Sequence, residues 1–211
     1  KKNMPQKKTH GYAAEKKAGI SQVANILAKI AKSKKKDIKI SKPKTVITPD
    51  MPTIKYNCDI KFEDVICGEL TYEPLEGNTV YLNNLKIEKK YRYYRIGTKV
   101  LLNFLEQISK NGIKYIKFNA LPTEENSPHP YDFYNKLGFK LSGRITHIYD
   151  KDKFKEFKTR NKVTGIKLKP LNKTTVEVTF NLKEAIRLGL IIPMSGEISE
   201  IIKNIKKYLN E

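Results

Sequence analysis

Between residues 53 and 141 the chain changes its hydrophobic period in an order that few folds accept. Three stretches alternate as strands do: Ile54–Ile60, Val65–Tyr72 and Thr79–Ile87. Residues 74–78, ending in Gly77-Asn78, supply a turn between the second and the third. Val100, Leu101, Phe104, Leu105 and Ile108 then recur at helical spacing, and Asn111-Gly112 closes that helix. Ile113–Asn119 reads as a strand again. A loop holding Pro122, Pro128 and Pro130 leads to a short helix at Tyr131–Leu137, ended by Gly138, and a strand follows at Ile145–Tyr149. A strand–helix–strand crossover of this length requires a parallel pair inside an otherwise antiparallel sheet. The expected class is therefore α/β (α+β), a mixed, mostly antiparallel sheet with a central parallel strand pair and flanking helices.

Outside this stretch the pattern is less dense. Residues 1–12 have no periodicity and read as an arm. Ile20, Val23, Ile26, Leu27 and Ile30 mark an amphipathic helix capped by Ser21, and residues 41–52, with three prolines, read as a linker. After residue 149 come a strand at Val176–Phe180, a helix capped by Asn181 and closed by Gly189, and a last amphipathic helix carrying Ile198, Ile201, Ile202, Ile205 and Leu209. The expected organisation is a basic N-terminal arm with one helix and a linker (1–52), a central domain (53–149) and a basic C-terminal extension (150–211).

Charge follows the same divisions. The chain of 211 residues carries 42 Lys and Arg against 22 Asp and Glu, a formal +20. Residues 1–50 hold +11 and residues 142–173 hold +7, whereas residues 51–141 hold +2 and residues 174–211 are neutral. Lysine concentrated in this way attracts phosphate-rich partners or acidic surfaces, so RNA, a ribonucleoprotein or an acidic protein surface is the expected partner class. Free polyamines and other cationic substrates are disfavoured by repulsion. No apolar run approaches the roughly 18 residues of a membrane-spanning helix. Cys58 and Cys67 give no disulfide framework and read as small buried hydrophobes, and His10, His129 and His147 lack ligand spacing. A cytoplasmic, reducing compartment is expected.

The segment richest in chemistry runs from Ile87 to Leu102. A strand ends, a basic turn follows, and a helix starts at about Gly97. Backbone N–H groups at a helix start are unpaired and the helix dipole is positive there, which suits a pyrophosphate; Arg92 and Arg95 add charge-assisted donors. One crossover later comes Phe133-Tyr134-Asn135-Lys136-Leu137-Gly138-Phe139. Together, Arg92-Tyr93-Tyr94-Arg95-Ile96-Gly97 and this second motif resemble the GNAT superfamily of acetyl-CoA-dependent N-acetyltransferases over about residues 53–149. That family's phosphate loop reads Gln/Arg-x-x-Gly-x-Gly/Ala.

The resemblance implies acetyl-CoA as co-substrate in a cleft between the strands at 79–87 and 113–119. It implies backbone N–H groups of Tyr93, Tyr94, Arg95, Ile96, Gly97 and Thr98 around the pyrophosphate, with Arg92 beside them. The strand edge Leu85, Lys86 and Ile87 would pair with the pantetheine arm. Tyr134 would be the catalytic acid that protonates the departing thiolate. Two departures stand out: Arg95 occupies the first glycine position of the phosphate loop, flanked by bulky Tyr93 and Tyr94, and the loop before the second motif reads Asn126-Ser127-Pro128-His129-Pro130. No general base is evident. Asn83 and Asn84 lie on the strand and Glu88 just past it, while Glu124, Glu125 and His129 read as solvated loop groups.

Two functions compete on these residues. One is an N-acetyltransferase that moves an acetyl group from acetyl-CoA to an amine while its basic flanks hold it on RNA or a nucleoprotein. The other is a catalytically degenerate, GNAT-like structural or nucleic-acid-binding component of a large nucleoprotein assembly or viral particle.

Overall fold

The computed structural model describes residues 38–47, 54–62, 65–92, 95–122 and 127–210. The arm at 1–12, the helix read from Ser21, and Tyr93, Tyr94, Glu124, Glu125 and Asn126 lie outside the described residues.

The described elements begin with β1 (Ile38–Ile40), β2 (Lys44–Ile47), β3 (Ile54–Phe62), β4 (Val65–Leu75) and β5 (Thr79–Ile87). They continue through α1 (Ile96–Lys110), β6 (Tyr115–Ala120), α2 (Tyr131–Lys136) and β7 (Lys140–Leu141). Helix α1 carries the chain from β5 to β6, and these two strands pair in parallel from Thr79↔Tyr115 to Leu82↔Phe118. Every other pairing is antiparallel. Val100, Leu101, Phe104, Leu105 and Ile108 are buried, as their spacing requires of a helix laid on a sheet. Cys58 and Cys67 are free and buried on adjacent strands, and burial pushes the Cys67 thiol up to about 11. No helix among the described residues is long and apolar enough to cross a membrane.

Three differences from the sequence reading bear on the architecture. Part of the expected linker is strand β2, whose Thr45-Val46-Ile47 run pairs with Tyr56-Lys55-Ile54 of β3. The prolines around this run conceal its β-branched residues. Strand β4 continues past Tyr72 to Leu75 and takes Pro74 into its ladder with Val80. Pairing with β3 ends at Tyr56↔Tyr72, so Pro74 stands where β4 has become an edge and its missing N–H costs nothing.

The third difference concerns the C-terminal third. After β7 come β8 (Ile145–Asp150), α3 (Lys151–Arg160), β9 (Ile166–Pro170), β10 (Thr175–Phe180) and α4 (Leu182–Arg187). These build a separate small sheet of order β8-β10-β9. The chain then returns as β11 (Ile192–Glu197), which enters the main sheet between β6 and β7, and ends in α5 (Ile198–Asn210). Residues 192–210, read from sequence as part of an extension, thus complete the main sheet, and the small sheet is an insertion. Strand β11 escapes a pattern search because Pro193 and Gly196 interrupt it. Gly196 is required by packing, since a Cβ there would lie 2.6 Å from the Ile201 side chain of α5. Helix α3 is hidden by its charge: only Phe154 and Phe157 are apolar, and both pack on Tyr149 of β8.

The insertion is pinned by a buried carboxylate. Glu184 accepts from Arg187 Nη2 at 2.6 Å, from Arg187 Nε at 2.9 Å and from the Thr164 N–H at 2.9 Å. These donors, Arg187 first, hold the Glu184 carboxyl down to about 2. Its folded value lies below the unfolded one, so the stabilisation is complete above the ordinary carboxylate range and is lost as pH falls toward about 2. Glu184→Gln is expected to lower the melting temperature by about 4 °C at neutral pH. The gap to wild type should close as pH falls below about 4.5, which melts recorded from pH 7 to pH 3 would show.

Candidate active site

The parallel ladder stops at Leu82↔Phe118 although both strands continue. The cause lies on the other side of β5. Its register with β4 shifts between Thr71↔Asn84 and Tyr72↔Leu82, leaving Asn83 as the extra residue of a bulge. A bulge bends its strand, so beyond Asn83 strand β5 turns away from β6. The gap opens into a cleft of about 960 Å³. One wall is the far half of β5 and the other is β6 with α2. The start of α1 closes one end.

This cleft gathers the described residues that the sequence singled out. Leu85, Lys86 and Ile87 line the β5 wall; Arg92, Arg95, Ile96, Gly97 and Thr98 line the closed end; Tyr134 lines the opposite wall. Tyr93 and Tyr94 lie outside the described residues.

At the closed end, the first turn of α1 carries no acidic side chain, and its N-cap residue Arg95 makes no side-chain capping bond. Ile96, Gly97 and Thr98 line the cleft, and among the described residues no carboxylate or side-chain hydroxyl caps the N–H groups of this turn. Gly97 stands among them. Among the described residues a Cβ at this position would meet only Ile87 Cγ1, at 3.8 Å, so nothing in their packing demands glycine. Glycine inside a helix costs up to about 1 kcal/mol relative to alanine. What glycine does supply is open approach to the backbone.

Arg95 takes the left-handed conformation, with φ 57°. A glycine adopts that conformation freely, whereas an L side chain pays about 1 kcal/mol, so Arg95 keeps the backbone course that glycine would give. Its side chain turns to α5, where Nη1 donates to the Tyr208 carbonyl at 3.1 Å and the guanidinium lies 5.0 Å from the Tyr208 ring centre. Arg92 Nε donates to the Ile87 carbonyl at 3.0 Å, fixing the end of β5 to the turn.

Tyr134 is half-buried, its ring edge-on to Phe118 at 4.6 Å and to Phe133 at 5.3 Å. Among the described residues its hydroxyl has no hydrogen-bond partner. Burial raises its pKa above the ordinary phenol value, so it remains a proton donor at neutral pH.

His129, read from sequence as a solvated loop group, is a structural residue instead. Its Nδ1 accepts from the Tyr131 N–H at 3.1 Å, which leaves Nε2 to donate to the Leu190 carbonyl at 2.9 Å. With both nitrogens engaged it ties the loop to the insertion and holds the start of α2. Glu88 is paired with Lys90 at 3.1 Å. Among the described residues no group of His, Cys, Asp and Glu could hold a metal ion.

The sequence reading missed Tyr208, which lines the cleft from α5 and packs on Phe133 at 6.0 Å. It falls on the apolar stripe of that helix, three residues after Ile205, so periodicity marks it as packing and not as part of a cleft. It also missed Glu69 and Glu73 of β4, which accept from Asn84 at 2.9 Å and Asn83 at 3.3 Å and so brace the bulge from behind.

No family model matches the sequence, and no curated protein matches it. Solved structures that resemble the fold include a GNAT family acetyltransferase from Elizabethkingia anophelis with acetyl-CoA bound. It is 16% identical and the match covers 76% of this chain and 98% of that one, at a TM-score of 0.42. The ribosomal-protein-S18-alanine N-acetyltransferase from Escherichia coli is 12% identical over 68% of this chain and 69% of its own, at 0.39. The aminoglycoside 6'-N-acetyltransferase from Enterococcus faecium is 16% identical over 68% and 73%, at 0.39. Overlaps this loose assign no residue a role.

Proposed function

We propose that the chain is an N-acetyltransferase that takes its acetyl group from acetyl-CoA, held on an anionic macromolecule by its basic flanks. The observation that carries the reading is the start of α1: uncapped N–H groups, no carboxylate, and a glycine that the fold itself does not need, at the end of a cleft beside Arg92. A pyrophosphate fits that combination, because it brings negative charge to the positive helix end and needs the backbone unobstructed. The free edge of β5 from Leu85 to Ile87 offers strand-type pairing to the amide groups of a pantetheine arm.

In this reading an amine nitrogen attacks the thioester carbonyl carbon, and the C–S bond breaks. A backbone N–H near Leu85 stabilises the oxyanion; as the C–S bond breaks the Tyr134 hydroxyl gives its proton to the leaving sulfur, and the attacking nitrogen sheds its surplus proton through water, from which Tyr134 is reprotonated. The competing degenerate reading draws on Arg95 and the bulky loop. Against it, the Arg95 side chain is committed to Tyr208 rather than laid between β5 and β6.

Calorimetric titration of the full chain with acetyl-CoA tests the proposal. Saturable binding with a Kd in the micromolar range is expected. Absence of heat at millimolar acetyl-CoA would overturn the enzyme and leave the degenerate reading.

A further inference from the structure

The small sheet inserted between β7 and β11 carries a lysine ridge that the acetyl-transfer reading does not use. Lys151, Lys155 and Lys158 follow one another at i, i+4 and i+7 along α3, so they share one side of the helix. Lys162 stands just beyond its end. At the other end, Lys151 Nζ donates to the carbonyls of Asn172 at 2.7 Å and Lys173 at 2.9 Å. That contact brings the β9–β10 turn, which carries Lys173, to the start of the helix.

Lys151 binds the β9–β10 carbonyls and Lys158 lies in the last turn, where the dipole favours a cation; nothing among the described residues accounts for Lys155, Lys162 and Lys173 beside them. Lys155, Lys158, Lys162 and Lys173 are exposed, and among the described residues none of them pairs with a carboxylate. Like charges at this spacing destabilise a helix by about 0.2–0.5 kcal/mol per pair. Lys151 also lies in the first turn, where the helix dipole disfavours a cation. A solubilising surface would intersperse both signs on the same side; here Asp152 and Glu156 fall on another side of α3.

We propose that the ridge formed by Lys151, Lys155, Lys158, Lys162 and Lys173 binds the phosphate backbone of a nucleic acid. Successive lysines four residues apart rise about 6 Å along the helix, a spacing commensurate with neighbouring phosphates of one strand. Protein partners favour interface centres depleted of charge, whereas nucleic-acid interfaces are polar and strongly positive. The ridge carries no aromatic side chain for stacking on bases, so the contact reads charge and shape without sequence. It rests on and deepens the anionic-macromolecule half of the proposed function, and is independent of the acetyl-transfer half because binding is measured without acetyl-CoA.

The test is fluorescence anisotropy of the full chain with a labelled 20-nucleotide RNA at several salt concentrations. Its comparison is the triple variant Lys155→Glu, Lys158→Glu and Lys162→Glu. The variant is expected to bind about thirtyfold more weakly, and its slope of log K against log salt should be shallower by about 2 to 3. A second variant, Lys110→Glu, Lys114→Glu and Lys117→Glu, makes the same change in net charge elsewhere and should stay within about threefold of wild type. Circular dichroism melts confirm that both variants fold. DNA of the same sequence should bind within about threefold of RNA, as a contact to phosphates requires. Equal losses in the two variants, an unchanged salt slope, polyglutamate competing as well as RNA, or RNA bound without DNA would each overturn the proposal.

Discussion

Gly97→Glu is expected to stabilise the folded chain and to abolish acetyl-CoA binding. The two effects have opposite signs for reasons that are separable. Glutamate is a better helix former than glycine by up to about 1 kcal/mol, and a carboxylate in the first turn of a helix adds about 0.3–1 kcal/mol through the dipole. The first turn of α1 has no acidic residue of its own, and among the described residues a Cβ at position 97 meets only Ile87 Cγ1. The same carboxylate occupies the charge site proposed for the pyrophosphate and repels it. A rise of about 2–4 °C in melting temperature, with acetyl-CoA affinity down by about a thousandfold, is the expected outcome. Thermal melts and calorimetry on the same sample measure both. A variant that is stabilised yet binds acetyl-CoA normally would show that the start of α1 is not where the cofactor's phosphates lie.

Tyr134→Phe separates chemistry from packing. The ring contacts with Phe118, Phe133 and Phe139 are retained in phenylalanine, and the hydroxyl has no partner among the described residues. Stability and acetyl-CoA affinity should therefore stay within about 0.5 kcal/mol of wild type. Loss of the proton donor should lower kcat by about a hundredfold. Steady-state rates with acetyl-CoA saturating check this, and an unchanged kcat would remove Tyr134 from the reaction. Since burial raises the phenol's pKa, wild-type activity should show no alkaline loss from this group below about pH 10. In the unfolded chain the phenol ionises first, so this residue favours unfolding only above that pH.

Much of the cleft was legible because local signals and tertiary position agree there. Strand Thr79–Ile87 has the bounds read from its alternation, and the turn to α1 falls where basic residues and Gly97 place it. The adjoining bulge was not legible. Asn83 looks like any strand residue, and only the register of β4 against β5 makes it the extra one that splays the sheet. Arg95 looked like the loss of a required glycine; the backbone conformation shows that the left-handed geometry is kept by another residue. His129 looked solvated because its partners, Leu190 and Tyr131, include one that lies 61 residues away.

The amino-acid order by itself determined the mixed sheet, its crossover and the residues at the start of α1, because hydrophobic period and helix-start chemistry are local properties. Tertiary structure alone decided that β11 returns to the main sheet, that the basic segment at 142–173 is part of a folded insertion with Lys151, Lys155 and Lys158 on one side of α3, and that Tyr208 closes on Arg95. Pairing partners far apart in sequence leave no periodic trace in either strand, and charged side chains gain their spatial pattern only when a helix and a turn are brought together.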